Sequence, residues 1–314
     1  MAEPRIRITG LGKSYGHVVA LDGVDLLVAG GTVVGVLGHN GAGKTTLIDV
    51  LSTKARPSAG RAEVCGLDVV RDGHEVRRRI GLTGQFAAVD DALSGVDNLV
   101  LVARLLGASP RQARARAAEL VDAFGLAEVA GRPARTYSGG LRRRLDLAAS
   151  LVGAPEVLFL DEPTTGLDPV SRTGLWALVE RLAAGGTTIV LTTQYLEEAD
   201  RLADQIVVLA LGRVAVSGTP ADLKARLGNR TATITFADER TARRASHALD
   251  RLGMRPALRA PERAVVTSIA APGDIAVLVR VLDAEEAEIR DLKVSEPTLD
   301  DVYLSLHRSA GSRS

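Results

Sequence analysis

The sequence predicts an α/β protein: a mostly parallel core sheet joined to an antiparallel β subdomain, an inserted helical subdomain, and a small C-terminal α+β domain. Three observations predict this. The β-branched run Val33–Leu37 enters a glycine-rich turn and then a segment with helical apolar spacing from Lys44. Further on, continuous apolar runs such as Val157–Leu160 alternate with amphipathic helical stretches. Beyond Gly228-Asn229 a second, smaller strand–helix alternation begins.

Residues 5–36 alternate in the manner of β-hairpins, as Arg5–Thr9, Leu21–Val28 and Val33–Leu37 separated by glycine turns, with Lys13-Ser14-Tyr15-Gly16 in the first loop. Residues 44–53 read as a helix, Gly60–Cys65 as a strand, and Ile80–Thr83 as a strand ending at Gly84-Gln85. The helical subdomain is expected over about 88–150. Leu99, Val102, Ala103 and Leu106 recur at helical spacing, as do Leu120, Val121 and Phe124, and the Arg111–Arg116 run reads as a solvated face. Ser138-Gly139-Gly140 opens a long amphipathic helix. Strands at Val157–Leu160, Thr187–Thr192 and Ile206–Leu211 then alternate with helices at Leu175–Leu182 and Leu196–Ala203, completing a first domain over 1–228. An accessory domain follows over 229–309. Its strands are Ala232–Phe236, Ala264–Ile269 and Glu288–Leu292, and its helices are Thr241–Leu252 and Ile275–Leu282. A last helix runs from the Glu296-Pro297-Thr298 cap to about His307. The alternation suggests a ferredoxin-like unit, with 310–314 as a flexible tail.

The chain has 314 residues, 46% of them hydrophobic and only 3% aromatic, so its cores must be built from Ala, Val, Leu and Ile. A formal net charge of +1 argues against nucleic-acid binding by bulk charge. The single cysteine, Cys65, forms no internal disulfide, which fits a reducing compartment. The N-terminus lacks a signal-peptide layout, and no run reaches the roughly 18 apolar residues a membrane span needs.

The strongest chemical signal is Gly38-His39-Asn40-Gly41-Ala42-Gly43-Lys44-Thr45-Thr46, which fits the P-loop pattern with a strand before it and a helix after it. The glycines let backbone N–H groups approach phosphate oxygens. The helix start adds a partial positive charge and Lys44 a full one. Thr45 offers a hydroxyl to Mg²⁺, and Thr46 a further phosphate contact. The second signal is Val157-Leu158-Phe159-Leu160-Asp161-Glu162-Pro163. Here a buried strand delivers two carboxylates to its C-terminal end, where open α/β sheets bind ligands. In a nucleotide site Asp161 would hold Mg²⁺ through water, and Glu162 would polarise the attacking water as general base.

A third motif, Tyr137-Ser138-Gly139-Gly140-Leu141-Arg142-Arg143, in order with the other two, resembles the signature sequence of ATP-binding-cassette (ABC) transporter ATP-binding subunits. The resemblance implies an ABC cassette in which two subunits sandwich two ATPs, each held by one P-loop and by Ser138, Gly139 and Gly140 of the partner. It implies that Tyr15 stacks on adenine, that Gln85 touches Mg²⁺ and the attacking water, and that Asp168 in Gly166-Leu167-Asp168 couples the two sites across the dimer. A histidine usually follows the strand at 188–192, touching the γ-phosphate. This chain has Gln194, which can donate a neutral hydrogen bond but cannot carry charge. The run Thr192-Thr193-Gln194-Tyr195-Leu196-Glu197-Glu198-Ala199-Asp200 and the ending Glu296–Tyr303 resemble the daunorubicin/doxorubicin-resistance branch of exporters.

What the resemblance implies is an ATPase motor using ATP and Mg²⁺. It would act as a homodimer on a separate integral membrane permease and sit peripherally on the cytoplasmic side of the membrane, with no span and no nucleic-acid partner of its own. Two alternatives stay open: a non-transport ABC ATPase, and an ATP-dependent clamp with little turnover, which Gln194 prompts. The single cassette, the absence of sustained heptads and the lack of a basic surplus weigh against the first. The accessory domain is expected to support the dimer, since a small unit with an apolar face needs a surface to pack on.

Overall fold

Alternation of apolar and polar residues sets the first layer. Ile6–Tyr15 (β1) and Val18–Val28 (β2) pair antiparallel, with Ile6 opposite Val28 and Tyr15 opposite Val18. The computed structural model describes residues 4–84, 89–226, 230–269, 271–296 and 298–299. After Val33–Leu37 (β3) and Lys44–Leu51 (α1), the chain returns to the first layer as Ala59–Val64 (β4) and Leu67–Asp68 (β5), in the order β2-β1-β4-β5. Gly73–Arg79 (α2) leads into Ile80–Thr83 (β6). The inserted helices Gly95–Leu105 (α3), Pro110–Ala123 (α4) and Gly139–Ser150 (α5) precede Val157–Asp161 (β7). Each starts on a serine whose hydroxyl accepts a backbone N–H, and Ser109 with Gln112 forms a full capping box. Pro169–Ala184 (α6), Thr188–Thr193 (β8), Leu196–Leu202 (α7), Gln205–Ala210 (β9) and Arg213–Gly218 (β10) follow. The core sheet runs β10-β9-β3-β8-β7-β6, parallel throughout except for the antiparallel edge strand β10.

Because successive residues of a strand face opposite sides, the core sheet separates two apolar clusters. Val33, Leu158, Leu160, Ile189 and Leu191 pack with the helices α3 to α6. Val34, Val36, Val157, Phe159 and Val190 pack with α1 and the antiparallel sheet. Each fully buried Leu, Val, Ile or Phe contributes about 1.5–3 kcal/mol.

The chain divides into two compact units, residues 1–220 and 221–314. In the second, Pro220–Arg226 (α8) is followed by Arg230–Phe236 (β11), Glu239–Arg251 (α9), Ala257–Arg259 (β12), Ala264–Ile269 (β13), Pro272–Ala284 (α10) and Ile289–Ser295 (β14). The antiparallel order β12-β13-β11-β14 on a βαββαβ chain is the ferredoxin-like arrangement. Ala242, Ala245 and Leu249 of α9 close the core over Ile234, Phe236, Val265 and Ile269.

The structure corrects several expectations. Lys13–Tyr15 is not a loop: β1 continues through it, with irregular register where Gly10 takes a positive φ of 57°. β3 does not extend the β1–β2 hairpin. All five of its residues are buried, and it pairs in parallel between β8 and β9. Helix α2 and strands β10 and β12 were not expected; α2 and β12 are short and β10 lies at a sheet edge. The helix expected beyond Glu296 lies outside the described residues, apart from Glu296, Thr298 and Leu299.

Candidate functional site

The end of β3 delivers Gly38–Gly43 to the start of α1, so the loop backbone faces the C-terminal edge of the parallel sheet. Gly43 caps α1 with a φ of 106°, and a Cβ there would meet the Ala20 carbonyl of β2 at 2.6 Å. His39, Asn40, Gly41 and Thr45 are exposed, Thr46 is half-buried, and Ala42 and Lys44 are buried. The Lys44 ammonium is folded back over the loop, donating to Gly38 O at 2.7 Å and His39 O at 3.3 Å. It lies 3.5 Å from Glu162 Oε1. An anion entering the loop would compete with carbonyls for this charge.

β7 supplies the carboxylates. Asp161 is 4% exposed, and its Oδ1 accepts from Thr45 at 3.3 Å and from Thr192 at 2.5 Å. The strand breaks at Glu162, whose φ is 48°, a left-handed conformation uncommon for a non-glycine residue. Its N–H is held by both the Thr192 carbonyl (3.1 Å) and the Thr192 hydroxyl (3.0 Å), and its Oε2 accepts from Thr165 at 3.3 Å. One β8 hydroxyl therefore fixes both β7 carboxyl residues. Gln194 follows β8 directly and is exposed at the same sheet edge.

Ser138 caps α5, accepting from Leu141 N at 3.3 Å. Gly139 has open space around it, whereas a Cβ on Gly140 would collide with the Ser171 hydroxyl. Ser171 in turn donates to Asp168, the cap of α6, from its backbone at 2.9 Å and its hydroxyl at 2.6 Å. Those bonds, the side-chain one foremost, hold the Asp168 carboxyl below the usual carboxylate range. The start of α5 thus packs against the Asp168 turn. An open cleft of about 440 Å³ joins Gly139, Arg143 and Asp146 to Glu162 and Gly166.

Arg143, one turn into α5, spans that cleft. It donates to Pro163 O at 2.7 Å, Gly84 O at 3.0 Å and Asp161 O at 3.4 Å, and pairs with Asp146 at 3.2 Å. Burial pulls its pKa below the ordinary arginine value. Gly84 immediately precedes Gln85, and Gln85 itself lies outside the described residues. Tyr15 ends β1, 49% exposed, with the Lys13 ammonium 4.6 Å from its ring centroid.

The structure thus brings Lys44, Thr45, Asp161 and Glu162 together, and places Gly140 against the Asp168 turn. Thr192, Arg143 and the buried Glu198 were not singled out from the sequence. Thr192 follows an apolar run, but Arg143 lies among Arg142 and Arg144 and Glu198 beside Glu197 and Asp200, so nothing local sets those two apart from a solvated helix face.

The ABC transporter family pattern matches residues 21–165. The chain is 50% identical over 311 residues to the daunorubicin resistance ATP-binding protein DrrA3 of Streptomyces coeruleorubidus, spanning 98% of this chain and 96% of that protein. It is 46% identical to the doxorubicin resistance ATP-binding protein DrrA of Mycobacterium tuberculosis, spanning 95% and 92%. Among solved structures, it resembles cbiO1 from Clostridium perfringens, part of the ABC transporter complex cbiONQ. That match has 26% identity and a TM-score of 0.66 over 80% of this chain and 98% of that one. An ATP-binding subunit of an ABC transporter matches with 26% identity and a TM-score of 0.64, over 71% and 92%.

Proposed function

The chain belongs to the ATP-binding subunits of ABC transporters, and from that premise we propose that it is the ATP-hydrolysing motor of an exporter of drugs or antibiotics. It would close as an ATP-sandwich homodimer and drive a separate integral membrane permease. Like its family, it is an ATPase. The observation that carries the reading is the junction of Lys44, Asp161 and Glu162 under one P-loop: a buried ammonium 3.5 Å from a carboxylate at the end of a parallel strand.

In this reading the loop N–H groups of Gly38–Gly43, Lys44 and Thr46 bind the phosphates, and Tyr15 stacks on the base. Thr45 and Asp161 present oxygens that fit Mg²⁺, a hard cation. A Mg²⁺ held there would take its other ligands from phosphate and water. The ion would neutralise developing charge on the phosphoryl oxygens. Glu162, tethered by Thr165, accepts the proton of the attacking water. Gln85 and Gln194 orient that water and the γ-phosphate by neutral hydrogen bonds. Ser138, Gly139 and Gly140 close over the partner's nucleotide, and Asp168 reports between the two sites.

Among the described residues no helix is long and apolar enough to cross a membrane. A peripheral position on the cytoplasmic face, against the permease, fits this reading. The accessory domain over 229–309 is assigned to dimer support. Deleting it and finding unchanged ATP-induced dimerisation would reject that role.

The test is ATP hydrolysis and ATP-dependent dimerisation with Mg²⁺, for the parent and for Glu162→Gln. The parent should release phosphate, and the variant should lose about 10²–10⁴-fold in turnover while accumulating as an ATP-bound dimer. Gln194 favours the second reading, a clamp. Binding without hydrolysis in both proteins, persisting with the co-expressed permease, would establish it.

A further inference from the structure

Glu198 is a fully buried carboxyl that the hydrolytic chemistry above does not use. It sits on α7, four residues after Gln194, and accepts from the indole N–H of Trp176 on α6 at 3.0 Å. The contact is one rung of a ladder. Arg172, Trp176 and Glu180 recur at four-residue spacing on one face of α6, the same stripe that begins at the cap residue Asp168. The Arg172 guanidinium lies 4.8 Å from the Tyr195 ring centroid, Arg201 stacks 5.1 Å from the Trp176 ring, and Arg201 pairs with Glu180 at 2.9 Å. Glu198 is the one buried charge-bearing group in these rungs, with Thr164 and Thr193 beside its carboxyl. Its Oε2, the Thr164 hydroxyl and the Arg172 Nε have no hydrogen-bond partner among the described residues. Full satisfaction would mark a settled structural pin. The carboxyl's second oxygen lies among the Thr164 and Thr193 hydroxyls and the Arg172 guanidinium, so the network has a second arrangement open to it.

Resting on the motor function proposed above, we propose that Glu198 is a positioning residue that couples Gln194, at the γ-phosphate edge of the sheet, to the Asp168 turn at the start of α6. A shift of Gln194 on nucleotide binding moves α7. Through Glu198 and Trp176 it then moves the helix whose first turn carries Asp168 and packs on Gly140. The other orphaned atoms offer the carboxyl new partners along that path.

Trp176 is the chain's only tryptophan, 5% exposed, so all tryptophan emission comes from this rung, and the Glu198 variants separate the carboxyl's contribution from that of Arg201. The experiment records Trp176 emission with MgATP in the full chain carrying Glu162→Gln, alone and combined with Glu198→Gln or Glu198→Ala. Nucleotide binding is measured in parallel with a fluorescent ATP analogue. The ATPase kinetics of Glu198→Gln and Glu198→Ala are measured in the hydrolysing background. ATP should shift the emission of the Glu162→Gln protein. Glu198→Gln, which can still accept from the indole, should keep the shift and at least half the turnover. Glu198→Ala should lose the shift and at least tenfold in kcat, with KM for ATP within about threefold. An unchanged shift and kcat in Glu198→Ala would overturn the proposal, as would a KM effect as large as the kcat effect. Should Glu198→Ala not fold, Trp176→Phe replaces it: a kcat loss of threefold or more at unchanged KM supports the coupling, and parental kinetics reject it. If Glu162→Gln binds the analogue but Trp176 never responds, the coupling fails and the motor stands. If the parent neither binds nor hydrolyses ATP, both fall.

Discussion

Lys44 Nζ lies 3.5 Å from Glu162 Oε1, with the two side chains 5% and 13% exposed. Both charges that the chemistry needs are therefore held against one another before a nucleotide arrives. Lys44 also donates to two loop carbonyls, so it serves the folded state as well as the ligand. Lys44→Met should lower the stability of the nucleotide-free protein by about 1.5–3 kcal/mol, the cost of losing charge-assisted hydrogen bonds in a buried site. At one hundred times the parental Kd, ATP stabilises the parent by about 2.7 kcal/mol through mass action. In Lys44→Met that increment should vanish. Paired thermal melts with and without MgATP check both figures, and an ATP-induced rise surviving in the variant would refute the role of Lys44.

The Thr192 hydroxyl donates to Asp161 and accepts from the Glu162 N–H, so a single β8 side chain sets the height of both carboxylates. Thr192→Val keeps the shape but removes that hydroxyl. The buried Asp161 is then left with Thr45 at 3.3 Å among these bonds. Stability should fall by about 1–3 kcal/mol, and the Mg²⁺ concentration needed for half-maximal hydrolysis should rise. Thr192→Ser should restore both. Urea unfolding and a Mg²⁺ titration of ATPase activity measure the pair.

The Gly38–Thr46 loop and the Val157–Glu162 strand were legible because their chemistry is local. A turn, a helix start and a strand end are written within a few consecutive residues. Thr192 and Glu198 were not, because each acts on a partner 31 or 22 residues away, and only the order of the parallel sheet decides that they meet. β3 was misassigned for a related reason. Val33–Leu37 follows Leu21–Val28 across a glycine turn as a hairpin strand would, but its continuous apolar run is that of a strand buried on both faces, and its partners β8 and β9 come more than 150 residues later. The ferredoxin-like unit was legible from its alternation, apart from β12, whose three residues carry too little pattern to register.

Arg143 and Asp146 lie one turn apart on α5, 15% and 4% exposed, and Arg143 also clamps the carbonyls at the ends of β6 and β7. Arg143→Ala removes one partner of the buried Asp146 together with three hydrogen bonds to carbonyls, so it should cost about 3–5 kcal/mol. Arg143→Lys should recover only part of this, since an ammonium cannot reproduce the planar fork that reaches Pro163, Gly84 and Asp146 at once. A double-mutant cycle of Arg143→Ala with Asp146→Asn should give a coupling of about 1–3 kcal/mol. Additive losses would mean that the clamp works through the carbonyls alone.

Glu198 contributes a pH dependence of definite sign. Burial raises its pKa, and the nearby Thr193, Trp176, Thr164 and Arg172 only partly oppose the shift. In the unfolded chain a glutamate titrates near 4.3. Below about that pH both states hold the proton, and the group takes nothing from stability. Between that value and the raised folded-state value, the unfolded chain releases its proton first. Stability from this group is then lost as the pH rises, levelling off once both states are ionised. Glu198→Gln has no proton to release. Relative to the parent, it should therefore gain stability as the pH rises above about 4.3, the gain growing through the window between the two titrations and holding constant above it. Urea midpoints of parent and variant at closely spaced pH values measure that difference. A difference constant across the range would show that Glu198 titrates as it does in the unfolded chain, and that the buried carboxyl is ionised at no cost.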